Sequence, residues 1–379
     1  MTTSRNPGNA GIPMVPLIDW ADFADPPPPV DWLVEGILPA GVAGDVFGPP
    51  NAGKSSLIYS LAVHIAGGSP TWFGRTIKSG RVVVVGGEHS GRDAHWRSAH
   101  RFVAEVHLPR GQLFTVDQTP ILKWHKGYTS DKTQEGWYYR QPVMGKDERM
   151  NYPGGAAIIE KIAELRPALV IFDTTLAVAE GCNQLDNPQQ YALSEFMQKR
   201  IVPDLHGSTV ITISHTNQTS SGKELSGRLH YESRAGGNGA PGAFRWMAGL
   251  TRIRNEEDCA ALGDVIDARD VKRRSFFAFG VSKRNEIGPA WTNESPAVFE
   301  IMADGKILMV ASGEQVKEAQ EAAARNKEDR KEDGTKKAKG KASTENGSGY
   351  DYYAHKNGDV RYSNSVSTAS PAWNFGGNF

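Results

Sequence analysis

The sequence predicts an α/β fold: a mostly parallel sheet flanked by helices, with antiparallel strands added at its C-terminal side. Three observations predict it. Val82–Val85, the run ALVIFDTT from Ala168 and the run STVITISHT from Ser208 are continuous apolar, β-branched segments, as expected of strands buried on both faces. Helical stretches lie among them, at about 53–66, 92–106, 156–166 and 189–201, and such alternation builds a parallel sheet. A later set, AGLTRIRN, SFFAFGVSK, AVFEIMA and KILMVAS, reads as consecutive strands that extend the sheet antiparallel.

Composition bounds the rest. The chain has 379 residues, 39% hydrophobic and 23% charged, and its 43 Lys+Arg balance 43 Asp+Glu. A bulk basic field for nucleic acid is thus excluded, and any such contact must come from a local patch. Cys182 and Cys259 have no metal-ligand spacing and fit a reducing, cytoplasmic setting. The start, MTTSRNPGNAGIP, has no apolar core of a signal peptide, and no apolar run approaches the length of a membrane span.

Residues 1–28 end in DPPPP and read as a flexible Pro-rich arm. Residues 29–313 read as the main domain; Trp32, Leu33, Ile37 and Leu38 pack on it before a strand begins near Gly41. Within it, 118–155 is a polar, aromatic insertion, too long for an ordinary connection and so either functional or mobile. Residues 314–347 read as helical at first and then as a charged linker, and 348–379 as an aromatic-rich, flexible tail.

Gly48-Pro49-Pro50-Asn51-Ala52-Gly53-Lys54-Ser55 matches G-x-x-x-x-G-K-[ST] without a gap, and Ser56 follows. The two glycines let backbone N–H groups turn inward on phosphate oxygens. The following helix adds its positive end. Lys54 is placed to reach β- and γ-phosphates, and Ser55 to offer a hydroxyl to Mg²⁺. A glycine turn with an incidental lysine is the competing reading; a predicted strand before and a helix after argue against it.

Asp173 ends the apolar strand LVIFD, where an unpaired carboxylate is costly, and is the second candidate on the metal side. Glu88 follows two glycines at the end of VVVVGG and is the candidate base for hydrolysis. The competing reading is a surface glutamate opening helix 92–106, with Ser90 as cap. His215 ends VITISH, where a polar group can sense the γ-phosphate; a satisfied structural histidine is the alternative.

These segments, with the lead-in PPPPVDWLVEGILPAG and the later FGVSKRNEIGP, resemble RecA-fold P-loop ATPases in order and spacing, over about residues 28–312. Within that fold they look most like the RepA-type hexameric helicase family, with DnaB-like and RecA-like relatives. The resemblance implies a RecA-like core, ATP and Mg²⁺ as cofactors, a homo-oligomeric ring, a hexamer, and single-stranded DNA in its channel. Lys54 and Ser55 become the Walker A pair, Glu88 the catalytic glutamate, Asp173 the Walker B acid and His215 the sensor. Lys283 and Arg284 stand where relatives carry a cation for the neighbour's γ-phosphate; the two are adjacent here, so both remain candidates.

The loop after His215 holds Lys223, Arg228 and Arg234 among Ser, Gly and Asn, with His230 and Tyr231, and suits a single-stranded backbone with stacking bases. The insertion, with Lys123, Trp124, Lys126, Trp137, Tyr138, Tyr139 and Arg140, is the alternative DNA site; nucleotide binding and packing on a neighbouring subunit are the competing readings of it. The function expected is a replicative motor on single-stranded DNA. The rivals are a recombination ATPase that does not unwind, and a regulatory ATPase with a protein partner and no DNA. The tail is the candidate docking segment for a replication or recombination protein.

Overall fold

The computed structural model describes residues 26, 28–86, 106–128, 133–144, 150–217, 220, 222–235, 242–284 and 290–342. Nine strands make its central sheet: β1 (Ala43–Gly48), β2 (Val82–Gly86), β3 (Leu113–Val116), β4 (Leu169–Asp173), β5 (Thr209–His215), β6 (Trp246–Arg252), β7 (Phe276–Arg284), β8 (Ala297–Ile301) and β9 (Ile307–Ala311). Their order is β9-β8-β7-β6-β1-β5-β4-β2-β3. From β3 through β6 neighbours run parallel. From β6 through β9 they run antiparallel. Both halves match the strand pattern read from the sequence.

The continuous apolar runs have a direct cause. Successive side chains of a strand face opposite sides, and both sides of this sheet are covered. Val82, Val84, Leu169 and Ile171 join one core with Leu57, Leu61 and Ile65 of helix α1 (Lys54–Gly67). Val83, Val85, Val170 and Phe172 join a second core. Helices α2 (Gly155–Glu164) and α3 (Asn187–Phe196) supply Ile158, Ile162 and Leu193 to it. The predicted helix 189–201 appears as α3 continued by a π-helical turn, Met197–Ile201. The predicted helix 92–106 lies almost wholly outside the described residues.

The strand order places the phosphate loop. From β1 the chain passes β5 and β4 to reach β2, while β6 lies on the other side of β1. Such a reversal opens a crevice at the carboxyl ends of parallel strands, where ligands bind.

Two stretches differ from the sequence reading. The insertion is largely built into the fold. Leu122–Tyr128 and Thr133–Tyr139 pair and add Ala179–Glu180 as a third strand, and Val143–Met144 pairs with Met150–Tyr152. Trp137 is buried; its indole N–H donates to the Gln189 carbonyl at 3.1 Å, and it meets Trp124 edge-on at 5.3 Å. Arg140 bonds Glu180 at 3.0 Å and lies 4.1 Å from the Tyr152 ring centroid. Aromatics that looked available for bases therefore serve the chain's own packing; Tyr138 stays exposed.

At the C-terminal side, Gly313–Ala342 is one helix, longer than the initial turns expected before a linker. Its Ala, Glu, Gln, Lys and Arg all favour helix, and no proline interrupts it. The chain divides into two units, Met1–Arg325 and Asn326–Phe379.

Candidate nucleotide-binding site

The loop after β1 is shaped by what its glycines exclude. A Cβ on Gly48 would lie 2.2 Å from the Leu250 carbonyl oxygen of β6. Gly53 has φ +79°, and a Cβ there would lie 2.4 Å from Ile301 of β8. Both positions need glycine, the first for close approach and the second for a left-handed turn as well. Asn51, at φ 60°, is one of the few other residue types that tolerate this region. Lys54 is buried at the start of α1; its ammonium donates to the Gly48 and Pro49 carbonyls at 3.0 and 2.9 Å. Ser55 and Ser56 follow, partly exposed in the first helical turn.

Asp173 ends β4 and is 4% exposed. Tyr59 of α1 donates its hydroxyl to Asp173 Oδ2 at 2.8 Å. Asp173 Oδ1 is buried with no hydrogen-bond partner among the described residues. The turn beyond it is held by the Thr175 hydroxyl, which donates to the Ile213 carbonyl at 3.1 Å. β2 ends at Gly86, in register with Asp173. Glu88, two residues on, lies outside the described residues.

His215 pairs in register with Gly48. Thr216 N–H donates to the Gly48 carbonyl at 3.3 Å, and Ala235 N–H to the His215 carbonyl at 2.8 Å. Phosphate loop, His215 and the base of the following loop are thus joined by backbone hydrogen bonds. A cleft of about 540 Å³ opens beside them, lined by Pro49, Pro50, His215, Asn217, Arg228 and Arg254 among others.

Two members of the expected basic loop are placed differently. Arg234 is 1% exposed, its Nε 2.6 Å from Asp45 Oδ2, and it also bonds Gln190 at 3.0 Å. Asp45 takes further bonds from the hydroxyls of Thr212 and Ser214. Arg228 bonds Asp258 at 2.7 Å, both side chains almost fully buried. A guanidinium as fully desolvated as that of Arg234 cannot also face solvent as a phosphate contact, so the reading of Arg234 as a DNA-contact residue is corrected; Arg228, though paired with Asp258, still lines the cleft. Lys223 is exposed.

Lys283 and Arg284 end β7. They pair with Met247 and Trp246 of β6, which pair in turn with Asp45 and Gly44 of β1. They therefore lie toward the amino ends of the parallel strands, away from Gly48. Burial and the nearby charge of Arg245 push the Lys283 ammonium below the ordinary lysine value.

A family model for the AAA domain matches residues 13–221, more than half of the chain. The chain belongs to the AAA domain family. It is a P-loop ATPase, and the geometry of this ATPase fits the nucleotide and its usual metal. A hard divalent cation takes oxygen donors; the Ser55 hydroxyl and the orphaned Asp173 Oδ1 are the donors that fit. Mg²⁺ bound there would neutralise charge on the phosphates. Tyr59, Asp45 and Gln190 were not singled out from the sequence. Tyr59 carried a legible signal, being one helical turn beyond Ser55; Asp45 carried another, an acid inside an apolar strand.

Proposed function

We propose that this ATPase is a ring-forming motor that moves along single-stranded DNA, in the manner of RepA-type helicases. The observation that carries the reading is the position of Lys283 and Arg284. They end β7 on the side away from their own phosphate loop, which supports the reading that a cation from this pair serves a neighbouring subunit's nucleotide. Subunits in a closed ring complete one another's sites in this way. The resemblance of the proline-rich lead-in and DWLVEGILPAG segment to that helicase family supports the same reading.

In this mechanism Lys54 and the neighbour's cation stabilise charge on the transferred phosphoryl group, Mg²⁺ held by Ser55 and Asp173 would add positive charge there when bound, and Glu88 orients the attacking water. His215 reports the phosphate state to residues 216–235 through the bonds at Thr216 and Ala235. Lys223 is the loop's exposed cation toward the strand.

One observation favours the reading as a regulatory ATPase without DNA: Arg228 and Arg234 spend their charge internally. The discriminating experiment is the ATPase rate with and without single-stranded DNA, with particle images and a forked-duplex assay on the same sample. Stimulation, rings and unwinding are expected. Stimulation without unwinding would move the assignment to recombination, and no response to DNA would move it to regulation.

A further inference from the structure

Tyr59 lies four residues after Ser55 on α1, so the two share one helix face, a turn apart. Its hydroxyl donates to Asp173 Oδ2 at 2.8 Å. The other oxygen, Oδ1, is buried and has no hydrogen-bond partner among the described residues. Buried carboxylate oxygens are ordinarily satisfied, so this asymmetry needs a reason. Packing alone does not supply it. A phenylalanine would fill the same space on α1, whereas the phenol spends a donor on one particular oxygen of a carboxylate that ends a strand at the ligand edge.

We propose that Tyr59 is a positioning residue for the metal side of the site. Its O–H grips Oδ2, fixes the rotation of the carboxylate, and reserves Oδ1 for the hydrated divalent cation that accompanies ATP. The same helix presents Ser55 one turn earlier, so a single rigid element sets both oxygen donors. Outer partners of metal ligands act in this way, and their loss typically costs 10–100-fold in metal affinity. The proposal rests on the assignment of Ser55 and Asp173 to the metal side.

The test is Mn²⁺ binding, followed by electron paramagnetic resonance, to the full chain holding a non-hydrolysable ATP analogue. Tyr59→Phe is expected to weaken Mn²⁺ by about tenfold, with metal-free binding of the analogue unchanged. On an Asp173→Ala background the same substitution is expected to have no further effect, because the group it positions is gone. A packing role would give equal losses on both backgrounds, and that result overturns the proposal. Wild-type Mn²⁺ affinity in Tyr59→Phe overturns it alone, leaving the metal site standing. Binding of Mn²⁺ that is indifferent to Asp173→Ala removes the underlying assignment and the proposal together.

Discussion

Asp45 Oδ2 and Arg234 Nε lie 2.6 Å apart, and neither side chain reaches solvent. The pair ties β1, the strand that feeds the phosphate loop, to the residue at which the loop after His215 returns to the sheet. Gln190 on the same guanidinium brings in α3. Three segments distant in sequence therefore meet around one charge pair.

Removing one partner leaves the other charge buried and uncompensated, which costs about 3–5 kcal/mol. Arg234→Ala is expected to lower the melting temperature by roughly 10 °C. Arg234→Lys should not restore it, since an ammonium cannot reproduce the planar fork that meets both Asp45 and Gln190. Differential scanning calorimetry checks this. A melting temperature within a degree of wild type would show that the pair contributes nothing net.

Lys54→Ala removes the ammonium held on the Gly48 and Pro49 carbonyls. Loss of a preorganised charge at a phosphate is worth about 10²–10³ in rate, so phosphate release is expected to fall by at least about a hundredfold. Fluorescent-nucleotide titration should show weakened binding with the far-ultraviolet circular dichroism unchanged. Near-normal turnover would contradict the site.

The sheet, its parallel and antiparallel halves and the phosphate loop were legible because their signals are local. Val82–Val85 and Leu169–Phe172 are apolar without alternation because both faces are covered, and Gly53 and Lys54 stand in a fixed octapeptide. The partners of charged residues were not legible. Arg234 reads as a loop cation until the fold brings Asp45 to it from 189 positions away. Trp137 reads as part of a candidate DNA-binding insertion until its strand pairs and the Gln189 carbonyl takes its N–H. Hydrophobic periodicity reports which face is buried, and carries no information on which polar groups meet across the core.

Tyr139 makes a pH prediction. Burial, and then its 2.5 Å hydrogen bond to Asp204, push its phenol well above the ordinary value. The folded state thus holds the phenolic proton where the unfolded chain has lost it. The contribution is fully present below about pH 10, the ordinary phenol value, and is lost as pH rises beyond it. Denaturant midpoints for wild type and Tyr139→Phe are expected to differ by a constant amount from pH 6 to about pH 9, and the difference should shrink above about pH 10. A difference that stays constant through pH 11 would show that the phenol ionises alike in both states.

The position of Lys283 and Arg284 makes a mixing prediction. If either cation completes a neighbour's site, a variant subunit carries an intact phosphate loop but disables the subunit beside it. Of the Lys283→Ala and Arg284→Ala subunits, the one that lacks the acting cation is expected, mixed in increasing proportion with wild type, to depress ATPase activity more steeply than dilution. The phosphate-loop variant Lys54→Ala provides the complementary partner. Each of its subunits lacks its own phosphate grip but still offers Lys283 and Arg284. Mixing Lys54→Ala with the variant of the acting cation, each nearly inactive alone, should recover measurable activity. In those mixtures some interfaces pair an intact loop with an intact cation. The residue whose substitution permits recovery is the one that acts across the interface, which separates Lys283 from Arg284. Activity that falls only in linear proportion to the variant fraction, with no recovery in the mixture, would mean that each subunit hydrolyses ATP alone and would remove the ring reading's main support.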